Sequence, residues 1–381
     1  IRDPGDVSAM KFTAAAKAFA DAMSVAGKII ESRNTIPILS NVVIAARGDT
    51  VTLKSTDLDL EISLEFKADV TSPGATSVPG RLLGDILRKM APGAEVTFES
   101  EKDGQVASVG AGRSKFRLQT LPETDYPVMS NGNYSHTIEF AGDVLLEALS
   151  KVQFAISTEE TRYYLNGVHF NHDSEHPGAI TFVATDGHRL AKSFREPSGD
   201  VENFPPIIVP RKTVGEIITL AKSAGAEAVK IEVSENKIRV MSGTTVLTSK
   251  LIDGSFPDYR RVIPALTNTI ATVDSKALSA SADRVTTISN ERGRAVKLTF
   301  EETKLSLAVN NPDHGSAEED IDIGYSGAKL EIGFNAKYLS DICSVIGAGE
   351  VRMSLTDAGS PTVITTDKDP ASLYVLMPMR V

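Results

Sequence analysis

The sequence predicts an α+β protein made of three copies of one domain, each with two helices and several antiparallel strands. One helical segment recurs three times with the same apolar spacing and an acidic residue at the same place. The copies are Val78-Pro79-Gly80-Arg81-Leu82-Leu83-Gly84-Asp85-Ile86-Leu87, Val209-Pro210-Arg211-Lys212-Thr213-Val214-Gly215-Glu216-Ile217-Ile218 and Phe334-Asn335-Ala336-Lys337-Tyr338-Leu339-Ser340-Asp341-Ile342-Cys343. Asp85, Glu216 and Asp341 stand at nearly equal intervals, too long for a solenoid and suited to a duplicated domain. Around each copy the same order of strand, helix and paired strands repeats.

The first copy opens on a strand and helix within Met10 to Glu31, with the helix expected over about 12–31. Alternation in Thr50-Val51-Thr52-Leu53-Lys54 predicts a strand. A second helix follows over 80–90, then strands at Glu95 to Phe98 and Phe116 to Thr120. The second copy begins at Ser135 to Ser157 (helix 142–156) and continues with a helix over 211–223 and strands at Lys230 to Val233 and Lys237 to Val240. The third has helices over 275–288, within Asn268 to Ser289, and over 335–346, and strands at Lys304 to Ala308, Val351 to Leu355, Thr362 to Thr365 and Tyr374 to Met377. Ser234-Glu235-Asn236 and Asp357-Ala358-Gly359 mark turns. Copies one and two leave through matching stretches, Leu121-Pro122-Glu123-Thr124-Asp125-Tyr126-Pro127 and Asp253-Gly254-Ser255-Phe256-Pro257-Asp258-Tyr259. Domains are expected over 10–134, 135–263 and 264–381, with residues 1–9 an artificial remnant before a natural start at Met10.

The 381 residues are 41% hydrophobic and 24% charged, a globular rather than disordered profile. No apolar run is long enough to span a bilayer. The one cysteine, Cys343, excludes an intrachain disulfide framework and suits a reducing cytoplasm. A net charge of -10 argues against a protein that merely coats nucleic acid. The six expected helices nevertheless carry more Lys and Arg than Asp and Glu. Gathered on one side, they would give an acidic protein a mildly basic surface able to meet phosphates without reading sequence.

Enzyme readings are weak. Thr185-Asp186-Gly187-His188 resembles a hydrolase loop, but no Gly-x-Ser-x-Gly elbow accompanies Asp186 and His188. His169, His172 and His176 lie near Asp173 and Glu175, without the Cys or His-Glu-x-x-His pattern of a metal site. No Gly-x-x-x-x-Gly-Lys-[Ser/Thr] loop is present, and no cofactor or metal is expected. A non-catalytic binding module with a tripled domain remains an alternative.

Arg162-Tyr163-Tyr164-Leu165-Asn166-Gly167, Ala184-Thr185-Asp186-Gly187-His188-Arg189-Leu190-Ala191 and Phe256-Pro257-Asp258-Tyr259-Arg260-Arg261-Val262, with Ile332-Gly333-Phe334-Asn335 and Tyr374-Val375-Leu376-Met377-Pro378-Met379-Arg380, are similar to hallmarks of a known family. In this order, from Met10 to Val381, the chain resembles the beta sliding clamps, the beta subunits of bacterial DNA polymerase III. The resemblance implies three clamp-type domains per chain and a head-to-tail homodimer closed into a ring around duplex DNA, with helices lining the hole. It implies no catalysis, a cytoplasmic location and no membrane contact. The implied partners are the replicative polymerase, a clamp loader and other proteins with clamp-binding motifs.

By the same resemblance a partner-peptide pocket would be formed by Leu165, Thr185, Gly187, His188, Arg189 and Leu190, with Pro257, Arg261, Val262, Asn335 and Tyr338. Val375, Met377, Pro378, Met379 and Arg380 would complete it. Met and Leu offer adaptable apolar surface, and Arg189 and Arg261 could anchor polar peptide groups. The DNA-facing candidates are Arg33, Arg81, Arg113, Tyr163, Tyr164, Arg211 and Lys212. At the dimer contact, Phe116 and Leu118 would meet Ile288, and Arg113 and Lys115 would face Asp313, Glu318 and Glu319. The chain departs from the family pattern at Gly293, Gly359 and Pro361, where bulkier or hydroxylated residues are expected, which bears on the pocket floor.

Overall fold

Apolar residues three and four apart give six helices in the computed structural model, which describes residues 9–31, 35–101, 104–130, 132–289 and 295–380. They are α1 (Ala16–Ala26), α2 (Gly80–Arg88), α3 (Gly142–Val152), α4 (Arg211–Ala224), α5 (Ser275–Val285) and α6 (Ala336–Ile346). Each follows directly on a strand. α1 is shorter than the sequence suggests because Lys11–Ala15 is a strand, paired from Lys11↔Glu99 to Ala15↔Glu95. The expected ends of α3 and α5 tighten into the 3-10 turns Gln153–Ala155 and Thr286–Ile288. Asp274 caps α5 by accepting from the Ala277 N–H at 2.8 Å. Asn335 caps α6, accepting from the Lys337 N–H at 3.0 Å and the Tyr338 N–H at 3.3 Å. Asn335 therefore starts a helix.

The chain divides into two compact units, residues 1–137 with 227–250, and residues 138–226 with 251–381. In the first, α1 packs on α2 beside two sheets. One sheet has the order Asp69–Ser72, Lys11–Ala15, Glu95–Ser100, Val106–Ala111, Ser114–Gln119, so that Ser114–Gln119 is an open edge. The other includes Leu60–Lys67 and Thr245–Lys250, paired from Val246↔Ser63 to Ser249↔Leu60. That pairing places residues 227–250, from the second sequence repeat, in the first unit. Phe12, Phe19, Phe66 and Phe98 stack or meet edge-on with ring centres 5.1–6.5 Å apart.

In the second unit α3 packs on α4 and α5 on α6. A Cβ on Gly142 would lie 2.5 Å from the Ala221 carbonyl oxygen, so glycine permits the close approach of α3 to α4. A nine-stranded sheet runs unbroken through the unit, and its centre joins the second and third repeats. There Arg189–Arg195 pairs with Ser372–Leu376, from Arg189↔Leu376 to Ser193↔Ser372. A separate four-stranded sheet has Gly315–Asp322 as an open edge. Buried apolar side chains between sheets and helices include Phe170, Phe182, Ile217, Leu278, Phe334 and Leu339. No helix among the described residues is long and apolar enough to cross a membrane.

Candidate binding site

The site begins with a turn that side chains hold together. Thr185 and Leu190 close the end of a hairpin. Asp186 Oδ1 accepts from the N–H groups of His188 (2.9 Å) and Arg189 (3.0 Å). The Thr185 hydroxyl donates to the Arg189 carbonyl at 2.7 Å and accepts from the Gly187 N–H at 3.1 Å. Gly187 has φ +88°, and a Cβ there would lie 2.5 Å from Arg162 Nη1. The Thr-Asp-Gly-His stretch that resembled a hydrolase loop thus works as a turn, with Asp186 occupied by backbone N–H groups.

Arg189 fixes this turn to its surroundings. Its Nε donates to Asp186 at 3.0 Å, Nη1 to Asp341 on α6 at 2.6 Å, and Nη2 to the Phe154 carbonyl at 2.8 Å. The guanidinium also lies 4.2 Å from the Tyr338 ring centre. Only 10% of the side chain is exposed. Arg189 thus braces the site, with each of its three nitrogens holding one protein partner. Arg261 is the exposed cation, with 85% of its side chain accessible and Nε 3.0 Å from Asp258.

Between these parts lies a cavity of about 240 Å³. Leu165, Thr185, Gly187, Arg189, Leu190, Pro257, Val262, Val375 and Met377 of the expected set line it. Arg162, Tyr164, Asp258 and Tyr259 line it too; none is in the expected pocket set, and Tyr164 is among the DNA candidates. The signal for Tyr259 was present in the matching exits, because Tyr126 and Tyr259 both lie buried beneath them. Behind Leu190 and Val375, Val183 and Tyr259 form a buried cluster. Val262 (51% exposed) and Met377 (40%) present apolar surface at the mouth.

The remaining expected pocket residues lie around this cavity and do not line it. His188 is exposed, with its ring 6.2 Å from that of Tyr338, and its carbonyl accepts from the Met377 N–H at 3.0 Å. Asn335 caps α6, and Tyr338 lies under Arg189. The Met379 N–H donates to the Gly333 carbonyl at 2.9 Å, which fixes the tail; Pro378 is half-buried and Arg380 exposed. Gly359 and Pro361 flank a turn in which Asp357 accepts from the Gly359 N–H at 2.8 Å, and neither lines the cavity. Gly293 lies outside the described residues.

Tyr259 is held by a buried carboxylate. Its hydroxyl donates to Asp173 Oδ2 at 3.1 Å, and Asp173, fully buried, also meets Lys192 at 3.2 Å and Arg260 at 3.1 Å. Burial alone would raise the Asp173 pKa, yet the Glu175 backbone N–H, Arg260 and Lys192 together hold it at about 2. Burial pushes the Tyr259 phenol up to about 12, so it stays a donor. The three histidines each have another partner. His169 stacks on Phe256 with ring centres 4.7 Å apart, His172 Nε2 lies 3.2 Å from the Pro177 carbonyl, and His176 stacks on Phe194 at 3.6 Å.

Of the DNA candidates, Arg81 is exposed in the first turn of α2, and Arg211 and Lys212 begin α4. Neither helix has an acid in its first turn. Cations at a helix N-terminus oppose the helix dipole, so they serve α2 and α4 poorly but add to their attraction for phosphate. Arg113 is exposed in a turn, and Tyr163 is 54% exposed with its ring 5.8 Å from that of Tyr164. Arg33 lies outside the described residues.

One of the expected dimer residues needs correction. Leu118 is only 3% exposed, the one buried side chain of Ser114–Gln119, and it belongs to its own core. Glu319 is already engaged by Arg284, whose Nε donates at 2.9 Å and whose hydrogen bonds hold the carboxyl down at about 2. Phe116 is 39% exposed, and Arg113, Lys115, Asp313 and Glu318 are exposed. Ile288 is half-buried, its carbonyl accepting from Asn311 Nδ2 at 2.6 Å.

Three family models match the chain in order: the DNA polymerase III beta subunit N-terminal domain over residues 10–130, its central domain over 139–258 and its C-terminal domain over 260–380. The chain is 43% identical over 374 residues to the beta sliding clamp of Caulobacter vibrioides, covering 98% of this chain and 100% of that protein. It is 35% identical over 372 residues to the beta sliding clamp of Escherichia coli, covering 97% and 100%. Among solved structures it is similar to the sliding clamp of Bartonella birtlesii bound to griselimycin, with a TM-score of 0.94, 44% identity and coverage of 98% and 100%. It is also similar to the griselimycin-bound clamp of Pseudomonas aeruginosa, with a TM-score of 0.93, 34% identity and the same coverage.

Proposed function

The chain belongs to the DNA polymerase III beta subunit family, and from that premise we propose that its apolar cavity is where partner proteins dock on a sliding ring. The protein is a DNA sliding clamp, a non-catalytic processivity factor of three clamp domains that works as a homodimer with DNA and the replicative polymerase. The clamp loader and other motif-bearing proteins would share the cavity, and the cytoplasm would be its location. We place the domain boundaries at 10–134, 135–263 and 264–381.

The observation that carries the docking site is an apolar cavity in the second unit with exposed Val262 and Met377 at its mouth. A Leu or Phe side chain inserted there would gain roughly 1.5–3 kcal/mol when fully covered. Val262→Asp places a charge at an exposed position, so the fold should survive while the apolar contact is lost. Calorimetric titration with a polymerase-derived peptide bearing a Leu-Phe anchor should show at least tenfold weaker binding, about 1.4 kcal/mol. Equal affinity would place the docking site elsewhere.

The exposed strands Ser114–Gln119 and Gly315–Asp322 support the head-to-tail dimer. The first carries Lys115 and Arg117, the second Glu318, Glu319, Asp320 and Asp322, and each is an open sheet edge. Open edges of opposite charge suit strand addition between copies. Arg81, Arg211 and Lys212 would meet phosphates. A loaded ring should remain on circular DNA and slip off the same DNA once linearised, and changing these three residues to Ala should reduce loading and flatten its salt dependence.

A further inference from the structure

The scaffold of the docking site occurs a second time, in the first unit. Each unit joins two sequence repeats through one sheet, Leu60–Lys67 beside Thr245–Lys250 in the first and Arg189–Arg195 beside Ser372–Leu376 in the second. The same turn precedes the joining strand, closed by Thr56↔Glu61 in one and Thr185↔Leu190 in the other. The Leu58 N–H donates to the Thr56 hydroxyl at 3.0 Å, as that of Gly187 does to Thr185 at 3.1 Å. The Lys250 N–H donates to the Asp59 carbonyl at 2.8 Å, as that of Met377 does to His188 at 3.0 Å. The pairs Asn41↔Pro79 and Gly167↔Pro210 set Leu39 at the place of Leu165, and Tyr126 matches Tyr259; all four are buried. The walls of the apolar cavity therefore have counterparts in the first unit, position by position.

Three side chains differ in kind. Glu61 holds the place of Leu190, and Met129 that of Val262. In the second unit Leu190 and Val262 both line the cavity. In the first, Glu61 Oε2 accepts from the Met129 N–H at 3.2 Å, and Oε1 lies 3.6 Å from Lys54 Nζ. A buried carboxylate thus ties together the counterparts of two cavity walls. Leu58 holds the place of Gly187, with φ +81° against +88°. A Cβ on Gly187 would run into Arg162, which lines the cavity, so the same turn sends the Leu58 side chain to where the cavity lies in the second unit. Lys250 holds the place of Met377, with Nζ 2.9 Å from Asp59. An ion pair therefore stands where Met377 presents apolar surface at the mouth.

We propose that the first unit holds a closed copy of the docking site, in which Leu58, Glu61 and Lys250 determine specificity by keeping partner anchors out; the proposal rests on the docking site inferred above. A Leu or Phe anchor entering the first unit would displace Leu58 and part Glu61 from the Met129 N–H. It would then lie against a carboxylate cut off from water and from one of its partners, which costs more than covering an apolar side chain gains. In the second unit the same backbone presents Gly187, Leu190 and Met377, and the anchor meets only apolar surface at these places. Partners are thereby confined to one place on each chain, and to two on the homodimer, by side chains and not by a difference of fold.

The test uses the full-length dimer and a synthetic peptide with a Leu-Phe anchor, titrated by calorimetry. The wild type should take one peptide per chain. Leu58→Gly, Glu61→Leu and Lys250→Met together give the first unit the side chains of the second, and Lys54, partly exposed, can turn to water once Glu61 is gone. This variant should take two peptides per chain, the new site within about tenfold of the first in affinity. Adding Val262→Asp should leave one site, now in the first unit. Should the triple variant fail to melt as a folded protein, the exchange is made in reverse. Gly187→Leu and Met377→Lys, both at exposed positions, should each weaken the wild-type site at least about tenfold. One peptide per chain on a folded triple variant, two per chain on the wild type, or a smaller loss in the reverse exchange overturns the closed copy and leaves the docking site intact. A wild type that binds no peptide overturns the docking site itself.

Discussion

Asp173 shows how much of the site depends on a residue outside the apolar cavity. It is fully buried and joins Lys192, Arg260 and Tyr259. A buried carboxylate stripped of partners would be very costly, but Lys192 retains Glu175 at 3.0 Å if Asp173 is neutralised. Asp173→Asn should therefore cost only about 2 kcal/mol, the scale of lost hydrogen bonds to a charge. In thermal melts at neutral pH this would be a drop of roughly 4–8 °C. The pH dependence has a definite sign. The folded pKa of about 2 lies below the ordinary 3.8, so this stabilisation is complete above that value and is lost as pH falls towards 2. The gap between wild type and variant should narrow over that window, and a constant gap down to pH 2 would show that the charge on Asp173 is not what stabilises. Nothing in the sequence distinguished Asp173 from its acidic neighbours, because its partners come from two other segments of the chain.

The repeated turns show what an element keeps and what it changes. In the first unit Thr56 Oγ1 donates to the Leu60 carbonyl at 2.9 Å, and Asp57 Oδ1 accepts from the Asp59 N–H (3.0 Å) and Leu60 N–H (2.8 Å). These bonds repeat those of Thr185 and Asp186. Leu58 has φ +81° where the second copy has Gly187 at +88°. A leucine in this region costs about 1–2 kcal/mol, close to what glycine forfeits in chain entropy together with the contacts of a side chain 39% exposed. Leu58→Gly should therefore change stability by less than about 0.5 kcal/mol. Gly187→Ala should cost about 1–2 kcal/mol in denaturant titration, and weaken the anchor peptide by pushing Arg162 from the cavity wall. Equal effects at both turns would mean that Arg162 does not need the space. The helices and most strands of each repeat were legible from periodicity and turn residues. The pairings Arg189↔Leu376 and Ser249↔Leu60 were not, since strand partners distant in sequence leave no local pattern.

At the scale of the molecule, the proposed head-to-tail contact would join two open edges, Ser114–Gln119 of one copy and Gly315–Asp322 of the other. On the first of these edges the family pattern takes Leu118 for surface, whereas it is the one buried side chain of Ser114–Gln119. That changes the informative experiment. A charge at Leu118 would damage the first unit's own core, and loss of the dimer would then say nothing about the interface. Lys115 and Glu318 are both exposed and stand on edges of opposite charge. An exposed pair contributes only about 0–1 kcal/mol, so a single neutralisation would be hard to read. Reversal adds like-charge repulsion to that loss. Lys115→Glu with Arg113→Glu should raise the dimer dissociation constant at least tenfold at low salt, measured by analytical ultracentrifugation, and the effect should shrink as salt screens it. Pairing that variant with Glu318→Lys and Asp313→Lys in the same chain should restore much of the dimer, because both contacts of a head-to-tail ring then carry the exchanged charges. A merely unfolded variant would not be rescued by substitutions in the other unit. If the reversed chain dimerises as tightly as the original, or the second pair of changes weakens it further, these two edges do not meet.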